Sequence, residues 1–169
     1  MLKLEDLLTT EQLAVHVPAT HWRDAVRQVG LLLVQSGAVE ERYIDGMIHT
    51  AEKLGPYIVI APGVAMPHSR PEDGVRRPCL SLITLQHPVN FGNVENDPVS
   101  LVFAFGAVDQ KQHIEALSQL AAAFSLLFSE LGGIQSLLEA QTPEALRDAM
   151  LNAARASDQI SANNRVEGR

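Results

Sequence analysis

Residues 80–105 read LSLITLQHPVNFGNVENDPVSLVFAF, and this stretch carries the clearest signal for the arrangement of the central sheet. Its ends, residues 80–86 and 99–105, are short apolar or β-branched runs, a pattern that predicts two strands. Both runs are almost continuously apolar, which is typical of strands that are covered on both faces. A hairpin-like connection at residues 87–90 breaks any strict alternation of strand and helix, so we expect a mixed sheet.

Helical patterns flank this strand-rich middle. Apolar residues recur at helical spacing in five segments, which are residues 20–36 (capped by Thr20), 40–54, a segment from Asp109 onward, 130–138 and 143–153. Three shorter strands are expected at residues 12–17, 57–60 and 63–66. The order of elements predicts an α/β layered sandwich with a mixed central β-sheet flanked by α-helices.

The length of 169 residues favours one domain, and the composition, 46% hydrophobic and 20% charged, predicts a globular chain. We expect that domain over residues 1–155, followed by a polar, disordered tail at residues 156–169. The formal net charge of −7 argues against a nucleic-acid partner, because affinity for phosphate backbones comes from clustered cations. A basic or neutral protein partner fits this charge better.

The cysteine content and the N-terminus indicate a cytoplasmic protein. Cys79 is the one cysteine, which excludes an intramolecular disulfide and a multi-cysteine metal cage. Glu5 and Asp6 interrupt the apolar residues at the start of the chain, so no secretory or transit signal is predicted. The longest apolar stretches fall far short of the roughly 20 residues that a membrane span needs.

Residues 61–71, APGVAMPHSRP, carry the strongest chemical signal. Pro67 fixes its own φ and biases Met66 toward extended geometry, so His68 leaves the end of a short strand in a defined direction. A loop histidine held by a scaffold is a candidate nucleophile or acid–base group. The alternative is a surface histidine in a proline-rich turn.

His113 is the second candidate. Asp109 is expected to cap a helix, with Gln112 at the capping-box position, so His113 lies in the first turn after the strand that ends near Gly106. Anions collect where a strand of an α/β sheet ends and the next helix begins. A phosphate near His113 would be stabilised there. The alternatives are a histidine that hydrogen-bonds locally and an Asp109 that only caps.

Ser69 and Arg70 directly follow His68 and are candidate phosphate ligands. Arg70 can form paired hydrogen bonds to phosphoryl oxygens, or it can be a solvated charge beside Glu72 and Asp73. Both interpretations stay open at this point.

Structural roles are preferred for the remaining candidates. Cys79 is interpreted as a small buried hydrophobic residue. A pair of His68 and His113 without a carboxylate third ligand predicts no metal site. The other histidines lack convergent partners; they are His16, His21, His49 and His87.

Four segments together resemble a known family: GPYIVIAPG (55–63), VAMPHSRP (64–71), VSLVFAFGAVD (99–109) and HIEALSQLA (113–121). Over residues 4–154 the chain resembles the enzyme IIA domains of the fructose–mannitol class, from the bacterial phosphoenolpyruvate-dependent sugar phosphotransferase system (PTS). The stretch 55–75, together with Asn-Asp-Pro at 96–98, is most similar to the ascorbate-type branch of that class.

The resemblance implies a phosphoryl relay without a cofactor or metal. His68, through Nε2, would accept phosphate from the phosphohistidine of HPr and pass it to a cysteine of enzyme IIB. His113 would stabilise the phosphate. Membrane enzyme IIC would then take up the sugar, for which an ascorbate-like compound is a candidate. The family's arginine upstream of the active loop is missing from HTAEKLG (49–55), so Arg70 is a candidate substitute.

Two other functions stay open. A regulatory protein with the same fold would signal through phosphorylation of His68 instead of feeding transport, and neighbouring genes for enzymes IIB and IIC would favour transport. A histidine-based metal hydrolase would need bound zinc. The sequence does not fix the oligomeric state, and it is compatible with a homo-oligomer.

Overall fold

A five-stranded mixed sheet forms the middle layer of the structure, a computed structural model that describes residues 2–168. Its strands are β1 (Leu13–Val17), β2 (Val59–Ala61), β3 (Val64–Ala65), β4 (Cys79–Val89) and β5 (Val99–Gly106). Their order across the sheet is β1-β4-β5-β3-β2. The hairpin of β4 and β5 is antiparallel, whereas β1 runs parallel to β4 and β3 runs parallel to β5.

Helices cover both faces of this sheet. The described residues form α1 (Leu4–Leu7), α2 (Trp22–Gln35), α3 (Arg42–Leu54), α4 (Gln110–Ser129), α5 (Gln135–Leu138) and α6 (Pro143–Glu167). Helices α2 and α3 pack on one face, and α1, α4, α5 and α6 pack on the other. The predicted α/β sandwich with a mixed sheet is confirmed. No helix within residues 2–168 has the length and apolar character needed to span a membrane.

The central strands supply both cores. Successive side chains of a strand point to opposite faces, so Leu82 of β4 packs toward α4 and α6 while its neighbour Ile83 packs toward α2 and α3. On β5, Phe103 and Ala104 divide in the same way, and all four residues are fully buried. An almost continuous apolar run is therefore what a strand in the middle layer requires.

The N-cap of α2 differs from the prediction. The structure uses His21 in place of Thr20: Nδ1 of His21 accepts a hydrogen bond from the Arg23 N–H at 3.2 Å. The Asp24 carboxylate accepts in turn from the His21 N–H at 3.2 Å, which completes a capping box. Thr20 donates its hydroxyl to the same carboxylate at 3.2 Å. The helix is therefore capped by an imidazole nitrogen and not by the predicted hydroxyl oxygen.

Further boundaries differ from the prediction. Strand β4 continues to Val89, so its connection to β5 spans residues 90–98 and not 87–90. Residues Gly55–Ile58 form a 3-10 turn, so β2 begins at Val59 and not at residue 57. The helix expected over residues 130–138 is reduced to α5. Gly132 and Gly133 have φ angles of 77° and 82°, which an α-helix does not allow.

The sequence predicts a disordered tail at residues 156–169, of which residue 169 lies outside the described residues. Helix α6 continues to Glu167, although its last buried residues are Leu151 and Ala153. All residues from Asp158 to Gly168 are exposed. The last turns therefore extend a helix that is anchored further back, since adding a turn to an existing helix costs much less than starting one. The domain boundary at residue 155 stays a prediction.

Candidate active site

The candidate site lies where two parallel strands end. Strand β3 pairs in parallel with β5, and the chain beyond β3 continues along the same strand, so that His68 forms an isolated parallel bridge with Phe105. Helix α4 begins a few residues after β5 and brings His113 to the same edge. In open α/β sheets, ligands bind outside the carboxyl ends of the strands. The edge that carries His68 and His113 has this position.

The structure brings the two predicted histidines together over one aromatic ring. The ring centroids of His68 and His113 lie 5.5 Å apart, with an angle of 61° between the planes. His68 stacks on Phe105 at 5.1 Å and 25°, and His113 contacts Phe105 at 5.2 Å and 54°. Phe105 is only 1% exposed and forms the floor of the site.

One hydrogen bond fixes the tautomer of His68. Nδ1 of His68 lies 3.0 Å from the carbonyl oxygen of Met66, and a carbonyl oxygen can only accept. Nδ1 therefore carries the proton, and Nε2 holds its lone pair. Met66 and Pro67 are buried, so the carbonyl that orients the ring is itself held in place. The half-buried ring thus presents a nucleophilic nitrogen in a fixed direction.

His113 has a different environment. Its Nδ1 is buried and has no hydrogen-bond partner among the described residues. Burial, and after it the neighbouring His68, lowers the pKa of His113, so the ring is neutral at neutral pH. A buried polar atom without a partner is unfavourable, and a ligand with acceptor or donor groups can satisfy it.

Asp109 caps α4 as predicted. Its carboxylate accepts from the Gln112 N–H at 2.8 Å, and its backbone carbonyl accepts from the His113 N–H at 3.1 Å. The reciprocal bond of the predicted capping box is shifted by one residue, since the Gln112 side chain accepts from the Val108 N–H at 3.3 Å. These bonds fix the start of α4 and thereby the position of His113.

The side chain of Ser69 is not brought to the histidine pair. It is 4% exposed and packs on α3, which lies on the opposite face of the sheet from α4. Its hydroxyl donates to the Asp73 carboxylate and lies 3.4 Å from Oγ1 of Thr50. Gly46 permits this close approach, because a Cβ at that position would lie 2.9 Å from the Ser69 oxygen.

Arg70 lies at the surface beside acidic neighbours. Its side chain is 75% exposed, with Nε 3.6 Å from Glu72 and Nη2 3.7 Å from Asp73. Exposed ion pairs of this length contribute little free energy, so they do not hold the guanidinium in one place. The Ser69 hydroxyl, followed by the backbone N–H of Arg70, lowers the pKa of Asp73. This carboxylate anchors the loop that follows His68.

Tyr43 is a site residue that the sequence did not indicate. It is fully buried in α3, where an aromatic residue in an amphipathic pattern is interpreted simply as core. Its hydroxyl donates to the Phe105 carbonyl at 2.6 Å and accepts from the Ser69 N–H at 3.1 Å. Both partners are distant in sequence, so no local pattern announces them.

The remaining candidates have structural surroundings. Cys79 is buried, and burial raises its pKa to about 12, which keeps the thiol protonated. This confirms its interpretation as a small core residue. In the part of the chain that the structure describes, no group of three or more His, Cys, Asp or Glu side chains could hold a metal ion.

The chain is similar to proteins of one known family. Residues 6–153 match the family model described as phosphoenolpyruvate-dependent sugar phosphotransferase system, EIIA 2. Over 115 residues the chain is 42% identical to the ascorbate-specific PTS system EIIA component of Escherichia coli strain K12. The aligned residues make up 68% of this chain and 75% of that relative.

Solved structures show the same similarity. The mannitol-specific cryptic phosphotransferase enzyme IIA from Escherichia coli is 32% identical, with a TM-score of 0.74 over 88% of this chain and 98% of that one. The mannitol enzyme IIA from Escherichia coli, solved in complex with phosphorylated enzyme IIB, is 24% identical, with a TM-score of 0.72 over 86% and 97% of the two chains. At that identity the likeness concerns the fold alone.

Proposed function

Since this chain belongs to the EIIA 2 family of the phosphoenolpyruvate-dependent sugar phosphotransferase system, we propose that it carries the phosphoryl group on Nε2 of His68. The observation that supports this proposal most directly is the bond between Nδ1 of His68 and the Met66 carbonyl. It leaves Nε2 as the nitrogen with a free lone pair, on a ring that cannot turn without losing the bond.

In the first step, the Nε2 lone pair attacks the phosphorus of a phosphohistidine on HPr. The Nε2–P bond forms as the N–P bond of HPr breaks, and the electron pair of that bond returns to the HPr imidazole. Positive charge develops on the ring of His68 during the attack. The Met66 carbonyl stabilises this charge through the Nδ1 proton, because the acceptor dipole is already in place.

The transition state of phosphoryl transfer is loose and spreads charge over three oxygens, so the protein acts by positioning and electrostatics. His113, whose ring centroid lies 5.5 Å from that of His68, can donate a ring N–H to one of these oxygens. Arg70, which is held only by long ion pairs, can swing toward another. The Ser69 hydroxyl is already engaged by Asp73, so we assign Ser69 to holding the loop and not to binding phosphate.

In the second step, the thiolate of an enzyme IIB cysteine attacks the phosphorus, and the Nε2–P electron pair returns to His68. A IIB partner is supported by membership of the EIIA 2 family of this phosphotransferase system. The relatives named ascorbate-specific support an ascorbate-like sugar as the compound taken up through membrane enzyme IIC. The second step returns His68 to the tautomer that the Met66 carbonyl selects, with the proton on Nδ1 and the lone pair on Nε2.

The test is incubation of the protein with phosphoenolpyruvate, enzyme I and HPr, followed by intact mass measurement. We expect the wild type to gain one phosphoryl group that is labile to acid and stable to base. His68→Ala should gain none, whereas His87→Ala, which removes an exposed histidine of β4, should be modified like the wild type. An unmodified wild type, or a labelled His68→Ala, would contradict the proposal.

Adding an ascorbate-type enzyme IIB to the phosphorylated protein tests the second step. Loss of the phosphoryl group from this chain, with its appearance on the IIB cysteine, is expected for a transport relay. Retention of the phosphoryl group would favour the regulatory alternative.

A further inference from the structure

The hydroxyl of Tyr43 lies between the two backbone segments that hold His68. One segment contains Ser69, which follows His68 directly and whose N–H donates to the hydroxyl at 3.1 Å. The other contains Phe105, whose carbonyl accepts from the hydroxyl at 2.6 Å. The Ser69 carbonyl is a second, more distant acceptor at 3.3 Å. A single hydroxyl therefore ties both segments to α3.

These two segments determine where the ring of His68 lies. Phe105 is the bridge partner of the His68 backbone and the ring on which the imidazole stacks. Ser69 sets the direction in which the chain leaves His68. Loosening either segment would change the position of Nε2. Among the aromatic contacts of the described residues, none joins the Tyr43 ring to the imidazole of His68 or of His113.

Helix α3 is shaped to receive this segment. Tyr43, Gly46 and Thr50 lie on one face of the helix, at the spacing of successive turns. All three contact Ser69. The Tyr43 hydroxyl accepts from the Ser69 N–H, and Oγ1 of Thr50 lies 3.4 Å from the Ser69 hydroxyl. Gly46 lies so close to the Ser69 hydroxyl that a Cβ at this position would not fit. Burial raises the pKa of Tyr43 well above its ordinary value, which keeps its hydroxyl protonated and able to donate.

We propose that Tyr43 is a positioning residue for phosphoryl transfer, whose hydroxyl holds the backbone on both sides of His68 so that Nε2 stays aligned over Phe105. This inference rests on the proposed function of His68. Tyr43 is fully buried and cannot contact a docked protein, so it should affect the rate of transfer within the complex and not the formation of the complex.

The test is a single-turnover measurement of phosphoryl transfer from phospho-HPr to Tyr43→Phe, which keeps the buried ring and removes only the hydroxyl. A misplacement of about 1 Å can cost about 100-fold in rate, so we expect the limiting rate to fall by about 10- to 100-fold. The concentration of HPr at half-maximal rate should not change.

Two matched variants separate positioning from a general loss of stability. Ser81→Ala removes another buried hydroxyl, which donates to the Val29 carbonyl at 2.7 Å, outside the site. Tyr57→Phe removes the hydroxyl of the other tyrosine, which is 81% exposed. Both variants should transfer phosphate within about twofold of the wild-type rate, at a temperature where urea titration shows every variant folded. The reason is that neither hydroxyl is bonded to the segments around His68.

A second readout uses the unphosphorylated protein. Nitrogen-15 spectra of the His68 ring should show one tautomer in the wild type and in Ser81→Ala, and a mixture in Tyr43→Phe, together with faster exchange of the Ser69 amide. A Tyr43→Phe protein with an unchanged His68 ring and the transfer rate of Ser81→Ala would overturn the proposal. Failure of the wild type to accept phosphate on His68 would instead remove the proposed function, and the ring spectra would still decide the positioning role.

Discussion

The unphosphorylated site holds two imidazoles with centroids 5.5 Å apart, so a proton on one ring opposes a proton on the other. Burial and the neighbouring His68 both lower the pKa of His113. A phosphoryl group on His68 would place a dianion beside His113, and a nearby opposite charge favours the protonated form of an imidazole. The charge state of His113 is therefore coupled to the phosphorylation state of His68.

We expect phosphorylation of His68 to raise the pKa of His113. At any pH between the two pKa values, phosphorylation then takes up a proton on His113, which strengthens its bond to a phosphoryl oxygen. NMR titration of the histidine ring protons before and after phosphorylation measures this shift, with the exposed His87 as an internal reference. A His113 titration curve that does not move, or that moves to lower pH, would contradict the coupling.

At the scale of elements, the sequence predicts long periodic segments and misses their ends. β4, β5 and α4 are predicted because many residues repeat one pattern. The start of α2 depends on one imidazole nitrogen at His21, and the loss of a helix before α5 depends on two glycines with positive φ. Such ends are decided by single contacts that periodicity does not contain.

The candidate site divides in the same way. His68 and His113 are predictable, because prolines and a helix cap mark the loop and the first turn where they lie. Tyr43 is not, since its partners Ser69 and Phe105 are 26 and 62 residues away. A sequence pattern reports which face of a helix is apolar, and not which backbone atoms that face will meet.

The 3-10 turn Pro71–Asp73 carries a prediction about pH. The Asp73 carboxylate accepts from the Ser69 hydroxyl and from the Arg70 N–H at 3.3 Å, and the first of these bonds does most to lower its pKa below the ordinary 3.8. Because the folded pKa is the lower one, the carboxylate stabilises the fold above the unfolded pKa. This stability is lost as pH falls through the folded value.

Asp73→Asn should therefore reduce the free energy of unfolding by about 1 kcal/mol at neutral pH and by much less in acid below the ordinary carboxyl pKa. Urea denaturation of the wild type and of the variant at neutral and acid pH measures both differences. Glu72→Gln, in the same turn but 64% exposed, is the control and should change little. An Asp73→Asn difference of the same size in acid would show that the charge is irrelevant.

For the whole molecule, β5 is where the two helical layers meet. Helix α3 approaches the end of β5 from one face and binds the backbone of Phe105 through Tyr43. Helix α4 approaches from the other face, and its His113 contacts the Phe105 ring. A shift of either layer therefore reaches Phe105, the floor of the site. The end of α6 takes no part in this joint, because its side chains from Asp158 onward are exposed.

Removal of residues 156–169 should therefore leave the domain intact. The truncated chain keeps Leu151 and Ala153, the last buried residues, and also Arg155, which pairs with Glu5 at 3.2 Å. Of the residues removed, Ala156 and Ser157 are half-buried and 158–168 are exposed, so we expect the free energy of unfolding to change by less than about 0.5 kcal/mol. Phosphorylation of His68 should proceed at the wild-type rate. Urea denaturation measures the change in stability, and intact mass measurement follows the phosphorylation.

A shorter chain that ends before the fully buried Met150 is the control. It should be strongly destabilised, since it opens the core beneath α4. Strong destabilisation of the longer truncation, or slower transfer, would place the last turns of α6 inside the domain.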